Sequence, residues 1–202
     1  LVAVVCHEVA HGAMALACGD DTAQRAGRLT LNPLRHLDPF GTVVLPILLM
    51  VLPLLFGGPP FVFGYAKPVP IDPRRFGAPR RDEMLVALAG PGANLLLALV
   101  SAVVFAVVAE RASASPAERW LAAMLGVSLR VNCLLAVFNV LPLPPLDGWR
   151  VLAALLPWRG APRLVRSLEG LGMVVVLLVV FNTPLLSLLV QPLMTWLLWI
   201  AQ

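Results

Sequence analysis

The sequence predicts an all-α polytopic membrane protein, a transmembrane helix bundle with a re-entrant apolar segment and a short strand-like loop. Hydrophobic residues make up 59% of the 202 residues and charged residues only 13%, and the mean hydropathy is +0.88, outside the range of soluble domains. The apolar residues gather in long runs separated by loops rich in Arg, Pro and Gly. No stretch between the runs could build a soluble core, so residues 1–202 read as a single domain with no appended soluble module. The chain opens at Leu1 within an apolar run and is read as lacking its natural N-terminal part. It does not resemble a cleaved signal peptide, because polar groups lie inside the run itself.

The elements follow in order. Segment A, Leu1 to Cys18, is a helix closed by Gly19 as C-cap. A loop from Asp20 to Gly41 carries Arg25, Arg28 and Arg35, with Asn32-Pro33 and Asp38-Pro39 favouring turns. Segment B, Thr42 to Phe56, is apolar but short, contains Pro46 and Pro53, and runs into Gly57-Gly58-Pro59-Pro60. Phe61 to Ile71 alternates apolar residues with Pro and Gly, which suits an extended strand. Segment C, Met84 to Ala109, and segment D, about Trp120 to Leu141, are convincing spans. The tail, Leu171 to Ile200, is apolar and interrupted by Pro184 and Pro192, which leaves one span with a returning helix or a single broken span.

Segment B decides the topology. Crossing a bilayer takes about 20 helical residues, and B has fewer, with two prolines. If B dips in and returns, twelve basic residues (Arg25, Arg28, Arg35, Lys67, Arg74, Arg75, Arg80, Arg81, Arg150, Arg159, Arg163, Arg166) share one face. Only Arg111 and Arg119 face the other side. If B crosses, the split falls to 9 against 5. The positive-inside rule favours the re-entrant arrangement. It puts the ends of A and D together on the cytoplasmic side, and predicts a multi-pass protein of a prokaryotic plasma membrane. The net charge of +4 therefore reflects topology and anionic lipid, and no nucleic-acid partner is expected. Cys6, Cys18 and Cys133 lie in or beside apolar segments and read as small buried residues without disulfides.

Segment A carries the chemistry. His7 and His11 stand four residues apart in LVAVVCHEVAHGAMALAC, so on a helix both imidazoles leave one face and can grip one metal ion. Glu8 adjoins them and can take a proton from water at that ion. An acidic residue at the centre of a membrane helix costs roughly 2.5 to 3.5 kcal/mol on insertion scales, so such groups are kept there for function. A catalytic zinc site usually needs a third protein ligand. Of the ten acidic residues besides Glu8, nine (Asp20, Asp21, Asp38, Asp72, Asp82, Glu83, Glu110, Glu118 and Glu169) lie in charged or turn-rich loops and read as solvated surface. Asp147 differs, following a span, with Pro142, Pro144 and Pro145 before it and Gly148 after it. Irregular backbone at that depth is tolerated inside protein or beside a wet cavity, and Asp147 reads as the ligand. His36 reads as a structural loop histidine, since a fourth ligand would close the position that catalysis needs.

HEVAH followed by Asn139-x-x-Pro142-x-Pro144-x-x-Asp147-Gly148 resembles the site-2 protease family of intramembrane zinc metalloproteases. Gly90-Pro91-Gly92-Ala93-Asn94 and the stretch Gly27 to Thr42 (GRLTLNPLRHLDPFGT) match the short bacterial and archaeal members, so the resemblance covers nearly the whole chain. It implies one catalytic Zn2+ held by His7, His11 and Asp147, with Glu8 as catalytic base. The implied reaction is hydrolysis of a peptide bond in or near a transmembrane segment of a membrane-protein substrate. Asn139 or Asn94 could donate to the oxyanion or contact the substrate, with Asn139 the stronger candidate by resemblance; either could equally serve as an interhelical hydrogen bond or backbone cap. The stretch Gly64 to Pro70 could pair with an extended substrate by β-augmentation or be a plain surface loop, with segment B as part of a gate.

Rival readings are a different membrane zinc hydrolase, a non-proteolytic membrane protein that binds zinc or sequesters substrate, and a metal transporter. The proline-rich approach to Asp147 argues against the first. Glu8 argues against the second, because metal binding needs no base, and the scarcity of polar groups on C and the tail argues against the third. Substrate identity, trigger and oligomeric state leave no mark in the sequence.

Overall fold

The computed structural model describes residues 1–57, 64–109, 115–156 and 184–201, together with Gly172 and Val176. Its elements are helices: α1 (Val2–Ala17), α2 (Thr22–Arg25), α3 (Leu45–Phe56), α4 (Pro79–Ala109), α5 (Pro116–Val140), α6 (Asp147–Leu155) and α7 (Leu185–Ile200). Short 3-10 turns at Pro33–Arg35 and Pro73–Arg75 punctuate the loops. Among the described residues no strand forms.

The long helices pair through small residues. On α4, Asn94, Ala98, Ser101 and Ala102 are buried at spacings of four, three and one, a single stripe. On α5, Leu129, Asn132, Cys133 and Ala136 form the facing stripe. Small side chains let two membrane helices approach closely, which replaces the hydrophobic drive that lipid removes. Leu197 of α7 closes the same cluster with Ala98, Ala102, Leu129 and Cys133. Outward residues such as Leu96, Val100 and Val107 on α4 are exposed, as expected where the solvent is lipid. The span Pro79–Ala109 starts five residues ahead of the sequence-based segment, because Asp82 accepts the Ala78 N–H at 2.7 Å and stabilises an additional turn.

Segment B is helical over Pro39–Phe56, beginning with a π-wound stretch Pro39–Val44 that runs into α3. It is longer than Thr42 to Phe56 because Asp38 accepts the Gly41 N–H at 2.7 Å and starts the helix upstream. Only 6% of these 18 residues is buried within the chain. The Tyr65 N–H donates to the Gly41 carbonyl at 3.0 Å, and the Thr42 hydroxyl donates to the Tyr65 carbonyl at 3.0 Å. The chain that leaves at Gly41 is therefore back beside Gly41 at Gly64 and Tyr65. This brings the two loops flanking the apolar helix together at its N-terminal end, the arrangement a re-entrant segment would have.

Of the stretch Phe61 to Ile71, read as an extended strand, residues 61–63 lie outside the described residues and Gly64 to Ile71 joins no ladder, which corrects that reading. Its backbone bonds run instead to scattered partners: Gly41, His36, Arg28 and Glu8. Pro68 and Pro70 have no N–H to give a neighbouring strand. The tail's last part is one helix that contains Pro192; most of residues 171–183, and the basic positions Arg111, Arg159, Arg163 and Arg166, lie outside the described residues.

Two acids expected on the solvated surface are buried, Asp20 fully and Asp82 at 4% exposure. Asp20 ties the end of α1 to the loop before α4, accepting from the Thr22 hydroxyl, the Thr22 N–H at 3.0 Å and the Asp72 N–H at 2.7 Å. Burial pushes its carboxyl up, but the Thr22 hydroxyl, the Asp72 and Thr22 N–H groups and the Arg75 guanidinium more than offset this, and the net shift is downward. With the folded value below the unfolded one of about 3.9, the clamp contributes fully above that pH and is lost as pH falls through the folded value. Asp20→Ala strands two N–H groups and is expected to destabilise by on the order of 1–3 kcal/mol. A thermal melt in detergent checks this: the deficit of the variant against wild type should stay constant at neutral pH and shrink only in acid.

Candidate metal centre

α1 presents His7 and His11 to the α4 backbone at Gly90, both residues being 7% exposed. A Cβ at position 90 would lie 2.6 Å from Cε1 of each ring, closer than carbon atoms approach, so glycine is what lets α4 pass over the two histidines. The rings are perpendicular, with centroids 4.5 Å apart.

Each imidazole is fixed by its Nδ1. His7 Nδ1 lies 2.7 Å from Asn94 Oδ1, and His11 Nδ1 lies 2.7 Å from the Val86 carbonyl oxygen. A carbonyl only accepts, so His11 carries its proton on Nδ1. For His7 the same follows from Asn94, whose Nδ2 donates to the Ala3 carbonyl at 3.1 Å and to Asn132 Oδ1 at 2.9 Å. That orients the amide with Oδ1 toward the ring. In the neutral tautomer both Nε2 atoms then carry lone pairs, and they face each other at 3.0 Å.

Asp147, the first residue of α6, completes the group. Its Oδ2 sits 3.2 Å from His7 Nε2 and 3.2 Å from His11 Nε2. With both rings neutral, three acceptors converge on one point, an arrangement that a bound metal ion would satisfy. Zinc bound to N or O ligands at about 2.0–2.1 Å in a tetrahedron places neighbouring ligand atoms about 3.3–3.4 Å apart, and the observed edges of 3.0 to 3.2 Å come within a few tenths of an ångström of one face. Among the described residues this is the one cluster of His, Cys, Asp and Glu able to hold a metal ion. The Nδ1–H bonds to Asn94 and Val86 are the outer contacts that orient metal-binding histidines.

The other sequence candidates fall into place around this cluster. Glu8 accepts the Val69 N–H at 2.8 Å through Oε2. Asn94 has both amide hydrogens committed, to Ala3 and Asn132, so it has none for an oxyanion and instead braces His7. Asn139 uses one amide hydrogen on the Leu135 carbonyl at 2.9 Å, and among the described residues the other has no partner. It lines, with Asp147, Gly148, Ala87, Leu88 and Pro91, a cavity of about 60 Å³, with room for a few water molecules. His36 is fully buried in the loop before the re-entrant helix, with Nε2 donating to the Thr30 carbonyl at 2.8 Å, and takes no part in the metal cluster.

The sequence reading missed Asn132 and the carbonyl of Val86. Asn132 extends the brace behind His7, its Nδ2 donating to the Ser128 carbonyl at 2.9 Å, and Ser128 bonds Ser101 at 2.8 Å. A polar Asn132 within an apolar span was a readable signal; a main-chain carbonyl is not.

Two variants test this geometry. Asn94→Ala is expected to weaken zinc binding about 10–100-fold by freeing His7 Nδ1, measured by chelator competition on purified protein. Gly90→Ala, whose methyl would occupy the space of the imidazoles, should abolish stoichiometric zinc, measured by metal analysis after gel filtration.

Comparison with known proteins agrees with this chemistry. The chain is 38% identical over 196 residues to the Bacillus subtilis (strain 168) protein named "Putative zinc metalloprotease YwhC", covering 96% of this chain and 83% of that one. It is 36% identical over 155 residues to "Putative zinc metalloprotease Rip2" of Mycolicibacterium smegmatis, 75% of this chain and 53% of that one. The Rip2 of Mycobacterium tuberculosis is 32% identical over 154 residues, again 53% of its length. No family model and no solved structure matches the chain. With zinc as its cofactor and helices suited to a membrane, the chain belongs to the site-2 protease family of zinc metalloproteases.

Proposed function

We propose that this protein is an intramembrane endopeptidase that hydrolyses a peptide bond in or near a transmembrane segment of another membrane protein, with its site toward the cytoplasmic side. The observation that carries the reading is the convergence of His7, His11 and Asp147 within a bundle of apolar helices. Soluble peptide substrates give no reason to place such a cluster among spans.

His7, His11 and Asp147 would hold the zinc ion. Bound there, zinc acidifies water to about neutral pKa and polarises a carbonyl. Glu8 is the base: one carboxylate oxygen is held by the Val69 N–H, and the other accepts the proton from water and returns it to the departing amine. Asn139 supplies its uncommitted amide hydrogen to the oxygen of the scissile carbonyl as negative charge develops. A second cavity of about 750 Å³, lined by apolar residues including Leu95, Val137, Leu189 and Leu193, shares Leu88, Pro91 and Val140 with the small cavity beside Asp147. An apolar groove running to a wet, polar end suits a transmembrane segment whose last residues must unwind to expose amides. The basic residues on the re-entrant face, Arg25, Arg28, Arg35 and Lys67 among them, support a cytoplasmic location of that end.

Purified wild type, Glu8→Gln and Asp147→Asn, assayed for bound zinc and for cleavage of a model transmembrane substrate, test the proposal. Glu8→Gln should keep zinc and lose about 10²–10⁴ in kcat. Asp147→Asn should lose most zinc and cleavage together. Normal zinc and cleavage in Asp147→Asn would overturn the ligand assignment. Wild type that binds zinc and cuts nothing would turn the reading toward a non-proteolytic zinc-binding protein.

A further inference from the structure

We propose that the main-chain N–H of Val69 is the positioning group for the base, and that residues 64–72 form a strap holding Glu8 at its working angle. This rests on the reading of Glu8 as base.

The helix bearing the motif has two working faces. His7 and His11 face α4. Glu8 and Gly12, also four residues apart, face the strap. Gly12 leaves a notch: a Cβ there would stand 2.6 Å from Leu29 Cδ2 and 3.0 Å from Val69 Cγ1. Val69 fills the notch and is 6% exposed. Seated there, its N–H reaches Glu8 Oε2 at 2.8 Å, one turn back along the same face. A carboxylate on a flexible side chain has several rotamers, and a charge-assisted bond to a fixed N–H selects one.

The strap is tied along its length. The Tyr65 N–H donates to the Gly41 carbonyl at 3.0 Å and the Lys67 N–H to the His36 carbonyl at 2.9 Å. The buried guanidinium of Arg28 donates to the Lys67 carbonyl at 2.7 Å. The Asp72 N–H donates to Asp20 at 2.7 Å. One end thus hangs on the start of the re-entrant helix and the other on the end of α1, with the base between them. Displacement of the re-entrant helix, which is almost bare of contacts within the chain, would reach Glu8 through this strap without touching the zinc ligands.

Proline at position 69 removes the N–H together with the valine side chain, and the neighbouring Pro70 already favours the extended region that proline accepts at residue 69. Val69→Ala is the partner variant, losing the packing in the Gly12 notch while keeping the N–H. With a model transmembrane substrate, Val69→Pro should have a kcat at least tenfold below that of Val69→Ala, with equal zinc content and KM within about twofold. Equal kcat in the two variants would overturn the proposal. A faster Val69→Pro would also overturn it, since the bond would then be parking the base. Hydrogen exchange supplies a readout independent of cleavage: in Glu8→Ala the Val69 amide should exchange at least tenfold faster than in wild type. Unchanged exchange would mean that the bond is absent, whether or not the protein cleaves. A wild type that cuts nothing but shows the exchange difference would sink the protease reading and leave the Glu8–Val69 contact standing.

Discussion

Two imidazole nitrogens and a carboxylate oxygen meet within an apolar bundle. His7 Nε2, His11 Nε2 and Asp147 Oδ2 lie 3.0 to 3.2 Å apart, and with both rings neutral a cation among them would satisfy all three lone pairs. Much of the described structure serves that meeting. Gly90 lets α4 cross over the imidazoles, Val86 and Asn94 hold their Nδ1 hydrogens, and Asp147 arrives as the first residue of α6 after the proline-rich turn. The small-residue stripes that pair α4 with α5 set the depth at which the three elements face one another.

The polar groups behind His7 show how such a site survives among lipid-facing helices. Asn94, Asn132, Ser128 and Ser101 form a continuous chain of hydrogen bonds across the α4–α5 contact. Each would be costly to bury alone, and together they are satisfied. The chain ends on the imidazole it orients, so this polar seam between α4 and α5 also mounts His7, one of the candidate metal ligands. Isolated polar groups elsewhere in spans would gain nothing comparable.

What could be read from the sequence divides along chemical lines. The pairing of His7 with His11 followed from helical periodicity, and Asp147 from the prolines that isolate it at membrane depth; the structure brings all three together. The apolar helix of segment B was legible from its run of hydrophobic residues, and the return of the chain beside Gly41 is the arrangement its re-entrant reading expects. The helix's true start at Pro39 was not legible, because an Asp38 side-chain cap adds the first turn. Asp20 and Asp82 were misplaced on the surface because charge and loop position say nothing of the N–H groups that fold around a carboxylate. The strand-like reading of residues 64–71 failed for a related reason. Alternation and proline predict an extended chain, but the partners of its amides are side chains and carbonyls distant in sequence. Asn94 was read as either an oxyanion contact or an interhelical hydrogen bond, and its bonding partners show its hydrogens spent behind His7 on Ala3 and Asn132.

Zinc K-edge X-ray absorption on the purified, zinc-loaded protein tests the central claim most directly. The account predicts a shell of only nitrogen and oxygen at about 2.0–2.1 Å, with the outer-shell signature of two imidazoles. A sulfur contribution at about 2.3 Å would bring Cys6 or another cysteine into the site and contradict the assignment, as would a shell containing fewer than two imidazoles.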